Sequence, residues 1–144
     1  MQVVTEAVTF RDLRPADIGV VVALAGLLGS TESPAHWRQR LRRGSGTVAI
    51  GAEADGRLVG YAVGVVNAAF GLRPTGWVES FGVDNAWRGR GLGRRVALEL
   101  IARFKDLGAE RASTLLPLHD LALAPFFRDL GFREEGLACF GRSV

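Results

Sequence analysis

The residues Arg88-Gly89-Arg90-Gly91-Leu92-Gly93 alternate guanidinium groups with bare glycines directly ahead of an amphipathic run, a composition suited to holding a phosphate. Glycines at 89, 91 and 93 remove the side chains that would keep a ligand at a distance. Successive backbone N–H groups can then converge on anionic oxygens at the positive end of a helix. Arg88, Arg90, Arg94 and Arg95 reinforce that field. Two phosphate-binding motifs are disfavoured by spacing. A P-loop needs lysine followed by Ser or Thr after its second glycine, and Arg94-Arg95 stands there. A dinucleotide fingerprint needs a small residue three places after Gly93, where the chain has Val96. A purely structural tight turn requires neither three glycines nor flanking arginines.

An anion cradle must be held by a strand before it and a helix after it, and both are legible. Trp77 to Val83 reads as an apolar strand. Leu92, Val96, Leu100, Phe104 and Leu107 form the buried stripe of a helix ended by Gly108. Upstream, Val3 to Phe10 has strand composition, and Pro15 suits the first turn of a helix. Ile18, Val21, Val22, Ala25 and Leu28 recur at helical spacing up to Gly29, and Ser33-Pro34 caps a second helix running to about Gly44. Thr47 to Ala54 and Arg57 to Asn67 read as strands joined by Asp55-Gly56, a dipeptide that accepts the positive φ angles of a tight hairpin. Gly60 and Gly64 share one face of the second strand, flat enough for a helix or ligand, while Val59, Tyr61, Val63 and Val65 point the other way. Residues 68 to 76 form a loop. Downstream come a short strand from Arg111 to Leu116, a helix between Asp120 and Leu130, and a last strand from Phe132 to about Phe140. Pro125 predicts a kink in that helix or a start delayed to it. The order is β-α-α-β-β-β-α-β-α-β around one mixed sheet.

Composition narrows the function classes. The 144 residues fit a single domain spanning 1–144 with one core. Seventeen arginines and one lysine give a formal charge of +3 spread along the chain, a weak basis for nucleic-acid binding, and none is expected. Arg38, Arg40, Arg42 and Arg43 cluster on the second helix, where they form a solvated face or favour an acidic acceptor. The longest apolar run, Ile18 to Leu28, is too short to span a membrane, and no signal-like segment opens the chain, so no membrane contact and a cytoplasmic location are expected. The lone Cys139 has no disulfide partner and no neighbouring metal-ligand residues, so no metal site is expected.

The segment Val83 to Gly93, with Arg88, Gly91 and Gly93 in the spacing of Gln or Arg, two residues, Gly, one residue, Gly or Ala, resembles the GCN5-related N-acetyltransferase (GNAT) family. Phe126-Phe127-Arg128-Asp129-Leu130-Gly131-Phe132 is similar to the family's second signature, a hydrophobic-Tyr-x-x-Leu-Gly-Phe segment. The resemblance implies an α/β (α+β) fold with a mixed central sheet of six to seven strands, flanked by about four helices and splayed between strands four and five. It further implies acetyl-CoA as cosubstrate, with its pyrophosphate on the N–H groups of Gly89, Arg90, Gly91, Leu92, Gly93 and Arg94 beside Arg88. The pantetheine arm would lie along Phe81, Gly82 and Val83, with Gly82 suited to the bulge that splaying needs. An N–H freed there would stabilise the developing oxyanion.

Direct acetyl transfer to a primary amine of a small molecule or protein is the activity so implied, and the amine must first lose a proton. Glu79 is the expected base. It is the sole ionisable side chain within the strand, shares parity with Phe81 and Val83, and matches a strand-four glutamate of some family members. Burial or a water relay is expected to make it effective; pairing with a nearby arginine is the structural alternative. The family's tyrosine, its general acid for the departing thiolate, is replaced here by Phe127. The chain's only tyrosine, Tyr61, lies on another strand, which leaves water or His119 for that role. Asp120 stands where family members often carry an Asn that touches the cofactor, and helix capping explains it equally. The missing tyrosine keeps open a catalytically weak acyl-CoA-binding sensor or partner module. A homodimer has no motif arguing for it.

Overall fold

The computed structural model describes residues 7–27, 32–42, 44, 46–69 and 71–144. Its described elements are β1 (Thr9–Asp12), α1 (Ile18–Leu27), α2 (Pro34–Leu41), β2 (Thr47–Ala54), β3 (Arg57–Asn67), β4 (Thr75–Val83), α3 (Leu92–Asp106), β5 (Arg111–Thr114) and α4 (Ala124–Asp129). The strands form one sheet in the order β1-β2-β3-β4-β5, antiparallel as far as β4 and parallel from β4 to β5. The hairpin is built as its turn chemistry requires. Asp55 and Gly56 take φ of 51° and 72°, and the strands on either side begin and end at the residues expected.

Helices cover both faces. On one, Leu92, Val96, Leu100 and Phe104 of α3 pack on Ile50, Ala52 and Ala62. On the other, Ile18, Val21 and Leu24 of α1 and Trp37 of α2 pack on Leu58, Tyr61 and Val63. Gly60 and Gly64 do share the flat face, and α3 occupies it. A Cβ on Gly64 would stand 2.3 Å from Phe104 Cζ, and one on Gly76 would stand 2.1 Å from Phe104 Cδ2. Val59 departs from the expected alternation and joins the α3 side. The β2–β3 register skips it, pairing Ala52 with Gly60 and Glu53 with Leu58, so one extra residue reverses its direction.

The described residues hold five strands rather than six to seven. The final strand expected from Phe132 to about Phe140 does not form. Arg133, Glu134 and Glu135 interrupt the alternation, Gly136 weakens the segment further, and Leu137 and Phe140 are exposed with no apolar face to bury against. The ion pair from Glu135 to Arg111 ties this segment to β5. Leu107 is also exposed; it caps α3 instead of continuing its stripe. Pro125 delays α4 to Ala124, where the ring sits in the first turn. Helix α2 ends at Leu41, short of Gly44, and Ser33 caps it by accepting from the His36 N–H. Residues 3 to 6 of the first expected strand and the stop at Gly29 lie outside the described residues. Among the described residues no helix is long and apolar enough to cross a membrane.

Arg11 fastens β1 to the rest, bonding Asp17 at 2.7 and 2.9 Å and Glu53 at 2.6 Å. The Arg11 hydrogen bonds hold the Asp17 carboxyl below the ordinary carboxylate range. A depressed folded-state value means stability that is present above the unfolded carboxylate pKa and lost as pH falls through the folded one. Asp17→Asn should therefore cost about 1 to 2 kcal/mol at neutral pH. That difference should shrink as pH falls below the ordinary carboxylate range, as read from thermal melts of both proteins across pH.

Candidate active site

The turn ahead of α3 has the geometry its glycines permit. Gly89 and Gly91 take φ of 76° and 78°, and nothing crowds the space where a Cβ would lie on either. Gly91 is the N-cap of α3 in the left-handed conformation, with no side chain capping the helix. The first ladder bond runs from the Arg95 N–H to the Gly91 carbonyl. The N–H groups of Leu92, Gly93 and Arg94 precede it, in the first turn where a helix has donors to spare. A Cβ on Gly93 would stand 3.6 Å from the Phe126 ring and 3.9 Å from Val83 Cγ2, so that side of the turn is apolar. Leu92, buried at the base of the helix, anchors the turn to the core. Gly91→Ala should destabilise the chain by about 1 to 2 kcal/mol, because an L-residue is strained at this φ; denaturant titration measures it.

The four arginines divide. Arg88, Arg90, Arg94 and Arg95 are all exposed, but Arg90 lies over the Trp87 ring at 5.0 Å and Arg95 over Phe10 at 5.8 Å. Arg94 donates to the Asp129 carbonyl at 3.3 Å, tying the start of α3 to the end of α4. Arg95 thus points toward β1, leaving the other three around the turn.

Strand β4 carries the second half of the site. Its parallel pairing with β5 ends at Val78 opposite Thr114, whose hydroxyl also donates to the Val78 carbonyl at 3.0 Å. From Glu79 to Val83 the strand continues without β5, so the two part where the expected splay falls. The bulge is at Glu79 and not at Gly82. Val63 pairs with Ser80 and Gly64 with Val78, leaving Glu79 as the extra residue, while Gly82 stays in register with Tyr61. This insertion breaks the expected parity: Val78, Phe81 and Val83 all pack on the α3 side. Glu79 is exposed rather than buried. The burial expected to raise its basicity is therefore not present.

Phe127 is buried in an aromatic cluster. Its ring meets Phe81 at 5.8 Å, Phe126 at 5.4 Å and Phe132 at 5.2 Å, each edge to face. Phe126 stacks on Phe81 at 5.2 Å and closes the space between β4, α4 and Gly93. Phe81, Gly82, Val83, Gly89 to Arg94 and Phe127 are thus gathered at one end of the sheet. His119 and Asp120 are exposed on the turn before α4, where Asp120 accepts from the Ala122 N–H at 3.4 Å. The sequence reading missed Phe126, though it stands within the second signature, and missed Ser80, whose hydroxyl lies 2.8 Å from that of Tyr61. The signal for Ser80 is plain strand alternation, which sets it on the face opposite its neighbour Phe81. Cavities of about 340 and 440 Å³ lie elsewhere, around Thr47 and Arg103 and around Phe104 and Arg111.

At this end of the α/β sheet a helix start turned on glycine and left without a side-chain cap accompanies a parallel strand pair whose pairing stops partway along β4. The model of the acetyltransferase (GNAT) family matches residues 22–132. The aminoglycoside N(6')-acetyltransferase type 1 of Stenotrophomonas maltophilia is 28% identical over 138 residues, covering 91% of this chain and 90% of that protein. In fold, the chain resembles the aminoglycoside N-acetyltransferase AAC(6')-Iy solved in complex with CoA, with a TM-score of 0.80 at 16% identity over 96% of this chain and 95% of that one. It also resembles glucosamine-6-phosphate N-acetyltransferase from Arabidopsis thaliana, with a TM-score of 0.74 at 19% identity over 95% and 99% of the two chains. The chain belongs to the GNAT family of acetyltransferases.

Proposed function

We propose that this protein transfers an acetyl group from acetyl-CoA to a primary amine of a small polyamine-like acceptor of the amino-sugar class. The observation that carries the reading is the parting of β4 from β5 at Glu79, next to the uncapped start of α3. The N–H groups from Gly89 to Arg94 would hold the pyrophosphate, with Arg88 and Arg90 adding charge. Phe81, Gly82 and Val83 would offer their backbone along the open edge to the pantetheine arm, with the rings of Phe126 and Phe127 beside that edge on the α3 side. The bound cosubstrate supplies a thioester carbonyl as electrophile. An N–H freed on the open edge of β4 would receive the charge developing on its oxygen.

A primary amine of pKa about 10.4 is roughly one part in a thousand neutral at pH 7, a deficit of about 4 to 5 kcal/mol. Glu79, exposed at the mouth of the splay, would draw the amine proton through a water. The amino-sugar acceptor is supported by the Stenotrophomonas maltophilia relative, whose name specifies an aminoglycoside amine. Thiol release from acetyl-CoA, followed with a panel containing neamine, sisomicin, free amino acids and peptide amines, tests this. Release dependent on the amino sugars is expected. Acetyl-CoA binding with no amine-dependent release would overturn the reading in favour of an acyl-CoA-binding module.

A further inference from the structure

We propose that the hydroxyl pair of Tyr61 and Ser80 replaces the acid that Phe127 cannot supply, with Ser80 hydrogen-bonding the departing sulfur and Tyr61 positioning Ser80. The inference rests on the acyl-transfer reading above. Tyr61 pairs with Gly82 and Ser80 with Val63, so the two side chains are diagonal neighbours on the sheet face covered by α1 and α2. Their oxygens are 2.8 Å apart. Tyr61 is 1% exposed and packs edge to face on Trp37 at 5.6 Å. Burial pushes its phenol pKa up, so it keeps its proton at physiological pH.

A buried phenol O–H has to be donated, and among the described residues Ser80 is the partner it has. With Tyr61 as the donor in this hydrogen bond, the serine keeps its own O–H unspent. Ser80 is only half-buried, follows the bulged Glu79 directly, and lies on the stretch of β4 that β5 no longer covers. A hydroxyl fixed by a buried neighbour thus stands beside the carboxylate assigned to the incoming amine. The opposite face of the strand is closed by Phe81 and its aromatic cluster, which has no donor to give.

The step balances without a proton from either hydroxyl. The amine lone pair forms the C–N bond, the C–S bond breaks with its electron pair going to sulfur, and the ammonium proton leaves through water toward Glu79. Ser80 donates a hydrogen bond to the thiolate, which later takes its proton from solvent. A thiol of pKa about 8.5 leaves well enough for a hydrogen bond, short of full protonation, to serve.

The test varies the leaving group. Ser80→Ala in the full chain should lower kcat with acetyl-CoA by about 10- to 100-fold, the range for a hydrogen bond to a charged group. With acetyl-seleno-CoA, whose selenolate is far more stable and needs no such bond, the loss should shrink to about threefold or less. Ser80→Thr should restore most of the rate, Tyr61→Phe should show a smaller loss with the same donor dependence, and acetyl-CoA affinity should stay unchanged in all three. Equal losses on both donors, an unaltered rate, or failure of Ser80→Thr to rescue would overturn the assignment. Absence of turnover in the parent protein would instead overturn the acyl-transfer reading beneath it.

Discussion

Glu79→Gln is expected to lower kcat for amine acetylation by about 100-fold or more, the usual range for removal of a general base. The substitution keeps the size and hydrogen-bonding shape of the side chain and removes only its capacity to take a proton. Acetyl-CoA affinity should change by less than about twofold, since nothing assigned to the pyrophosphate or the pantetheine arm is altered. The two effects separate in steady-state kinetics and calorimetric titration. The ascending limb of the pH–rate profile should move up toward the pKa of the amine itself in the variant, because the remaining route depends on amine that is already neutral. A kcat within about threefold of the parent would remove Glu79 from proton transfer and leave it as a bulge residue only.

The second large effect is structural. Gly76→Ala should destabilise the protein by about 3 kcal/mol or more, at the upper end for overpacking a closed core. The added carbon would lie 2.1 Å from Phe104 Cδ2 and 2.2 Å from Cγ, and Phe104 is 1% exposed, so the ring has no room to withdraw. Gly64→Ala meets the same ring at 2.3 Å and also the Trp77 carbonyl at 2.4 Å, a backbone atom that cannot turn aside. Phe104→Leu should recover part of the loss in the Gly76→Ala background. A double-mutant cycle by denaturant unfolding would show coupling above about 1 kcal/mol. Additive losses would mean that the glycine and the ring do not compete for the same space.

The elements that position the site were readable wherever a local rule decides the outcome. Asp55-Gly56 demands positive φ, so the hairpin could be placed to the residue. The stripe from Leu92 to Phe104 has helical period and is buried throughout. Sheet registers were not readable, because a bulge depends on what the neighbouring strands offer. The insertions at Val59 and Glu79 therefore reversed directions that alternation alone predicts. The segment from Phe132 to Phe140 has apolar residues at both ends but three charges and a glycine between them. It has no strand to pair with among the described residues, since β5 is only four residues long and holds it through the side chain of Arg111. Within the site, the glycine turn was found from spacing and Phe127 from the family resemblance, whereas the Tyr61–Ser80 contact joins residues 19 apart whose diagonal placement only the register reveals.

The seat of Phe104 against Gly64 and Gly76 acts at a distance. Helix α3 runs 15 residues from Leu92 to Asp106, about 21 Å by its rise, with the turn proposed to hold the pyrophosphate at one end and this clamp near the other. Over that length a tilt of only about 5° carries the first turn nearly 2 Å, enough to take its N–H groups out of hydrogen-bonding reach of a fixed ligand. Coenzyme affinity then becomes a gauge of packing on the far side of the molecule. A weakened Kd in a variant of Phe104 would be the signature of a displaced beam, with every residue of the cradle intact.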